Sequence, residues 1–349
     1  MKRISRPRRK ASKVPPRILF GVRSIYLPAR ITGANVSIDA LCRRLLSTGF
    51  DPIVVYGAGA PEPQARSGVP PTPAYPVIPL ADPVAALAEM VTHLAPSAVV
   101  LQGLDLATRA AAHKSLRDFP VRILLVQNFI GQGNPGPAGL PHWRYAANSR
   151  FLGDLAAAFF AAPVEVVPPL VEPSEYRVER AGQEVLFVNP VADKGVHIAA
   201  AIAERLPHRR FLFVSSWPDH AHHPHVRIAL PNVSWADTMF DMRPLYARAR
   251  IALMPSLWEE TWGRVAAEAQ VSGIPVVASD RGNLRETVGP GGFVLPLSTP
   301  IEGWCRAVES LFADEALYEQ LSQRALRHAR RRAIAPPEIL RRFLRFAAL

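Results

Sequence analysis

Cysteine is almost absent: the 349 residues contain two, Cys42 and Cys305. That is too few for a disulfide scaffold or a cysteine-rich zinc module, and it suits a reducing compartment. Long apolar runs are missing as well. Nowhere do about eighteen apolar residues stand together, so no segment is predicted to span a bilayer. The apolar stretch Ile18–Val22 behind the basic start is cut by Arg23, and no small-residue cleavage site follows, so a secretory signal is not expected. The chain is expected to be cytoplasmic.

Acidic residues are in deficit overall, with 29 Asp and Glu against 41 Lys and Arg for a net charge of +12. The deficit is confined to the ends. Residues 1–17 carry eight cations and no acid, and residues 324–349 carry eight arginines against Glu338 alone. Taking +8 and +7 from +12 leaves −3 on residues 18–323, which is no basic groove for nucleic acid. A polybasic arm suits an anionic membrane surface, where each cation adds about 1 kcal/mol. It also suits a solvated tail. An inner membrane face is therefore an expected peripheral partner.

What is present is a globular composition, 49% hydrophobic and 20% charged. Length favours two domains of roughly 150 to 190 residues. Apolar strands expected at 17–22, 52–56, 98–101, 122–126 and 164–167 alternate with helices of 3.6-residue periodicity, at 36–46, 84–94, 106–116 and 150–160. Strands apolar on both faces, separated by helices, imply a parallel sheet covered on both sides. Prolines 168, 169 and 173 break the rhythm and mark a linker. The alternation restarts, with strands expected at 185–188, 211–215, 251–254, 275–278 and 293–295. The division is a basic tail 1–16, a Rossmann-like domain 17–168, a second Rossmann-like domain 169–325, and a basic helical segment 326–349. Two doubly wound halves place a cleft at the carboxyl ends of both sheets, where a ligand should bind.

The stretch from Pro255 to Gln270 leaves a strand, makes a loop and enters a helix near Trp262. A helix start offers free N–H groups and a partial positive charge to phosphate. Gly263 lets backbone approach a ligand. Glu260 stands before the helix and Glu268 about two turns along it, and carboxylates suit a ribose diol or a sugar. On a helix surface either glutamate is otherwise an ordinary solvated residue.

The spacing Glu260-x7-Glu268, followed by Gly273-Ile274-Pro275-Val276-Val277-Ala278-Ser279 and Glu286, resembles the C-terminal signature of family 4 glycosyltransferases. So does the upstream run from Val185 to Gly195, with Asn189 and Lys194 in its loop; Asn232–Trp235 and Ala147-Asn148-Ser149 fit further landmarks. The resemblance implies an α/β fold of GT-B architecture: two Rossmann-like, doubly wound parallel-sheet domains facing a central cleft. It implies a retaining enzyme taking a nucleotide-sugar donor and a sugar, lipid-linked or small-molecule acceptor, with a role in envelope or polysaccharide synthesis. Lys194 would contact the donor diphosphate and, with Glu260, form the catalytic pair. Glu268 would hold the ribose, and the backbone at Trp262, Gly263 and Arg264 would touch sugar and phosphates. Gly33 would lie over the donor phosphates, and Asn189 and Trp235 would complete the donor site.

No Asp-x-Asp pair occurs in the chain, so neither a metal nor another cofactor is expected beside the nucleotide-sugar. The chain departs from the family pattern in two places. Asn189-Pro190 stands where many relatives have a diphosphate-clamping Gly-Arg, leaving Arg264 or Arg281 as substitutes, and Gln127-Asn128 stands where many have histidine. The departures motivate a rival, a non-catalytic nucleotide-sugar-binding protein. A dinucleotide-dependent oxidoreductase rests only on the Rossmann-like alternation and on Gly57-Ala58-Gly59, which lacks the third glycine. The tract from Asp219 to His225 has metal-binding composition but reads better as an exposed loop.

Overall fold

The structure, a computed structural model, describes residues 15–23, 25–58, 72–127, 143–215, 226–237 and 239–349. The histidine tract, Asn128, Gly59 and most of the basic N-terminal tail lie outside these residues.

The chain builds two all-parallel sheets. The first half runs β1 (Arg17–Val22), α1 (Gly33–Ser47), β2 (Asp51–Gly57), β3 (Val77–Leu80), α2 (Pro83–Leu94), β4 (Ala98–Gln102), α3 (Leu104–Ala112), α4 (Lys114–Arg117), β5 (Arg122–Val126), β6 (Arg144–Ala147), α5 (Arg150–Phe160) and β7 (Val164–Val166). Its strand order is β3-β2-β1-β4-β5-β6-β7. The doubly wound order follows from right-handed crossovers, which carry the chain outward from β1 first one way and then the other. Successive side chains of β1 show why both faces must be covered. Ile18 and Phe20 enter one core with α1, while Leu19 enters the opposite core with Leu87 of α2 and Leu152 of α5.

The second half runs α6 (Pro173–Tyr176), β8 (Glu184–Val188), α7 (Val196–Arg205), β9 (Arg210–Val214), β10 (Val233–Ala236), α8 (Arg243–Arg248), β11 (Ala249–Met254), α9 (Arg264–Val271), β12 (Val276–Ser279), α10 (Leu284–Val288), β13 (Gly292–Leu295), α11 (Ile301–Ala313), α12 (Glu315–Ala329) and α13 (Pro336–Ala347). The strand order, β10-β9-β8-β11-β12-β13, repeats the same winding. In the linker, Val167 and Leu170 belong to the first domain's core and Tyr176 to the second's, so the crossing is packed rather than free.

Three strands went unread in the sequence. β3 contains Pro79 and is an edge strand, the one place where a missing N–H is tolerated. β6, Arg-Tyr-Ala-Ala, has little β-branched character and is held by pairing with β5. β10 occupies the span assigned to a nucleotide-base loop and instead forms the second sheet's outer edge.

The terminal segment also needs correction. A boundary at 325/326 cuts through α12. Beyond it, α13 does not stand apart: Ile339, Leu340, Phe343 and Ala347 are buried in the first domain's core. Arg342 Nη1 donates to Val166 O at 2.9 Å, and Arg144 Nη1 donates to Phe346 O. The helix is basic on its outer face, where Arg341 and Arg345 are exposed, and apolar where it meets α1. Among the described residues, no helix is long and apolar enough to cross a membrane.

Candidate functional site

Two loops at the carboxyl end of the second sheet are fused by backbone bonds. The loop after β8 starts at Asn189, which is buried with φ 73°, and reaches Lys194 and Gly195 through one 3-10 turn. The loop after β11 crosses it, and Leu257 N and Trp258 N both donate to Asp193 O at 2.9 Å. Gly195, with φ +77°, lies so close to Pro255 that a Cβ built there would overlap the Pro255 carbonyl. This close approach is what a glycine after Lys194 permits.

The fusion brings Lys194 and Glu260 together across 66 positions of sequence. Lys194 Nζ lies 2.6 Å from Glu260 Oε1, and Ser256 Oγ donates to the same oxygen at 3.0 Å. The two side chains are only 15% and 12% exposed, so the pair is shielded without being sealed from the cleft. Glu260 is pinned from behind by Asn283 N, which donates to its carbonyl at 2.7 Å.

Gly263 caps α9 with φ +84° and no side-chain bond, leaving the first N–H groups of the helix unclaimed by a cap. Trp262 is buried, and among the described residues its indole N–H finds no acceptor. One turn into α9, Glu268 is 5% exposed. Its Oε1 lies 2.6 Å from Arg264 Nε, and its Oε2 accepts from Tyr246 OH at 2.7 Å. Burial pushes the Glu268 carboxyl above the usual carboxylate range, while Arg264 and Tyr246 pull it back. Burial alone would lower the Arg264 guanidinium, but Tyr176 and Glu268 outweigh it and hold the group above its ordinary value. Glu268, which the resemblance assigns to the ribose, is thus a buried ion-pair partner of Arg264.

The other expected residues divide. Gly33 is the first residue of α1, and a Cβ there would sit 3.8 Å from Arg264 Cδ, so the starts of α1 and α9 adjoin across the cleft. Trp235 is packed against the second domain's core. Its ring packs edge-on against Phe213 at 5.5 Å, its Nε1 donates to Ile228 O at 3.2 Å, and Arg227 stacks over it. The reason is strand alternation on β10, which turns position 235 to the α7 and α11 side of the sheet. Both arginines weighed as diphosphate clamps have internal partners: Arg281 pairs with Glu259 at 2.7 Å, and Arg264 with Glu268.

Two residues at the site, Thr261 and Gln102, were not picked out in the sequence. Thr261 Oγ1 donates to Gln127 O at 2.8 Å and accepts from Asn148 Nδ2 at 3.0 Å, which joins the carboxyl ends of the two sheets. Gln102 Nε2 donates to Gln127 Oε1 at 2.9 Å beside that junction. Position 102 ends β4, and a polar residue closing a fully buried strand was the available signal. Among the described residues, no group of three His, Cys, Asp or Glu side chains is placed to hold a metal ion.

The architecture is that of GT-B proteins: two parallel-sheet α/β domains whose carboxyl ends face one cleft. The second domain carries the specific match. Residues 182–314 match the family model described as glycosyl transferases group 1. The D-inositol 3-phosphate glycosyltransferase of Streptomyces bingchenggensis is 35% identical over 96 residues, which is 27% of this chain and 21% of that protein. The chain thus spans about a fifth of the length of the curated relatives it matches. A glycosyltransferase from Rickettsia africae ESF-5 superposes with a TM-score of 0.74 at 15% identity, over 95% of this chain and 98% of that one. HepE of Anabaena, in complex with UDP-glucose, superposes with a TM-score of 0.71 at 16% identity, over 95% of this chain and all of that one. At such identities these likenesses establish the fold.

Proposed function

We propose that the protein is a retaining glycosyltransferase that moves a sugar from a nucleotide-sugar to an acceptor hydroxyl without a metal ion. The observation that carries this reading is the Lys194–Glu260 pair at the start of α9, inside the domain that matches the group 1 family. In the reaction, the bond between the anomeric carbon and the diphosphate oxygen breaks, and negative charge grows on the diphosphate. The acceptor oxygen attacks on the same face, and its proton passes to the departing phosphate oxygen. Lys194 and the uncapped N–H groups of α9 supply positive potential where that charge develops, which stabilises the transition state more than the ground state. Glu260 orients Lys194 and, with donor bound, takes hydroxyls of the sugar. The names and ligands of the relatives, including UDP-glucose, support a nucleotide-sugar donor.

Calorimetric titration with UDP, GDP, ADP, dTDP and NAD in EDTA, on the wild type and on Lys194→Ala, tests the reading. Binding of one nucleoside diphosphate, weakened in the variant and followed by turnover of the matching sugar nucleotide in EDTA, is the expected result. NAD binding without diphosphate binding would return the protein to dinucleotide chemistry. The burial of Glu268 by Arg264 favours a second reading, a nucleotide-sugar-binding protein without turnover. Diphosphate binding with no turnover of any donor selects it.

The basic termini extend the proposal to a cytoplasmic enzyme working at an anionic membrane surface on a lipid-linked or envelope acceptor. Flotation with anionic vesicles should carry the full chain and leave behind a protein lacking residues 1–14; equal flotation of both removes the tail from the argument.

A further inference from the structure

Residues 260–268 carry both glutamates of the site and also form one of the contacts between the second domain and the first. Thr261 meets Gln127 and Asn148. Arg264, on the other side of Gly263, reaches Ser37 Oγ at 3.2 Å and Leu170 O at 3.4 Å. The same guanidinium lies against Glu268 through Nε and donates from Nη2 to Tyr176 OH at 2.7 Å. One planar, five-donor group therefore ties together a carboxylate on its own helix, the turn beyond the linker, the linker backbone and helix α1. The tie on the first domain is firm. Ser37 Oγ donates to Gly33 O at 2.6 Å, and Arg43 joins α1 to Glu175 beside Tyr176 while also bonding Asp39 at 2.8 Å.

We propose that Arg264 is a positioning residue that couples Glu268 to the seating of the first domain, so that ligand contact at that carboxylate and closure of the cleft are set by one side chain. The proposal rests on the donor-site reading of Glu268 given above. A ligand hydroxyl that engages Glu268 shares the carboxylate with Arg264, so that ligand contact and the Ser37 and Leu170 contacts support one another through the guanidinium. Linkage makes the effect reciprocal: loosening the Ser37 contact must alter affinity at Glu268. A lysine would supply a point charge but not the fork, and a side chain acting only inside the second domain would leave Ser37 without influence.

The test uses the full chain, UDP as probe, and the variants Arg264→Lys and Ser37→Ala, with calorimetry and small-angle X-ray scattering. Both variants are expected to raise the radius of gyration of the ligand-free protein and to weaken UDP binding by about fivefold. The double variant should bind no more weakly than Arg264→Lys alone, because both substitutions cut one contact. Wild-type UDP affinity and radius in Ser37→Ala, or effects that add in the double variant, would overturn the coupling. If the wild type binds no nucleoside diphosphate, the donor reading fails by itself. Scattering then still decides: ligand-free expansion in Arg264→Lys, Ser37→Ala and Glu268→Gln supports the coupling, and unchanged radii reject it.

Discussion

Lys194 Nζ and Glu260 Oε1 stand 2.6 Å apart, with Ser256 Oγ on the same carboxylate oxygen. On the proposed reading, a cation that serves a diphosphate is held by a carboxylate when no diphosphate is bound. Charge-assisted bonds of this kind contribute about 1.5–3 kcal/mol. Lys194→Ala should therefore weaken binding of the cognate nucleoside diphosphate by about 10- to 100-fold. Glu260→Gln, which releases the lysine, should bind the diphosphate at least as tightly as the wild type and lose turnover. Calorimetry beside a donor-consumption assay separates the two effects; weaker binding in both variants would mean that the pair acts as one structural unit.

The Arg264–Glu268 pair is buried, so removing one partner strands a charge. Glu268→Gln and Arg264→Met should each lower stability by about 3–5 kcal/mol, and the double replacement Arg264→Met with Glu268→Leu by clearly less than the sum. Urea unfolding monitored by circular dichroism measures all three. Additive losses would show that the contact carries little of the energy.

Gly195 combines a positive φ with a backbone carbonyl in the place of a side chain. Gly195→Ala should cost at least about 3 kcal/mol and spread the two fused loops apart. The urea midpoint reads the first effect, and loss of nucleoside diphosphate binding in whatever protein stays folded reads the second.

Phe343 is 1% exposed and lies in the first domain's core, although it belongs to the last helix of the chain. Phe343→Ala should destabilise by about 3–5 kcal/mol. A chain ending before Pro336 should expose the face of α1 and bind a hydrophobic dye. If the truncated protein unfolds at the wild-type urea concentration, α13 is an accessory rather than part of that core.

His328 Nε2 donates to Glu286 O at 2.9 Å, and burial, followed by the nearby Arg331, holds its imidazole below the ordinary histidine value. A base with a depressed folded value contributes stability that is complete above about pH 6.5 and is lost as pH falls through the folded value. Glu268, raised by burial, has the opposite sign: its contribution is greatest in acid and is lost as pH rises. The comparison must therefore be between proteins that share Glu268. Between pH 7 and pH 5, wild type should lose more stability than His328→Gln in urea titrations; parallel losses would remove His328 from the acid response.

Legibility in the sequence followed locality. β1 was expected at 17–22 and is found at Arg17–Val22, because Ile18, Leu19 and Phe20 have no low-energy place except between two helix layers. The segment holding Glu260 and Glu268 was readable for the same reason: loop, glycine cap and helix lie within nine consecutive residues. The surroundings of Trp235 were not legible, because its chemistry suits a base-stacking role as well as a core, and the alternation of an edge strand packs the ring against the α7 and α11 side. The role of Arg264 was half visible. Its i,i+4 spacing to Glu268 is a local fact, but Ser37 is 227 positions away.

The sequence by itself determined the winding of two parallel sheets, the glycines at which loops can touch, and the helix start that faces the cleft. Each depends on periodicity, backbone freedom or capping within a few residues. Tertiary structure decided which charges meet: Lys194 with Glu260, Arg264 with both Glu268 and the first domain, and the basic last helix with the core of a domain begun 300 residues earlier. Such pairings are chosen by the packing of whole layers, because a buried charge must find a partner wherever the fold brings one within reach.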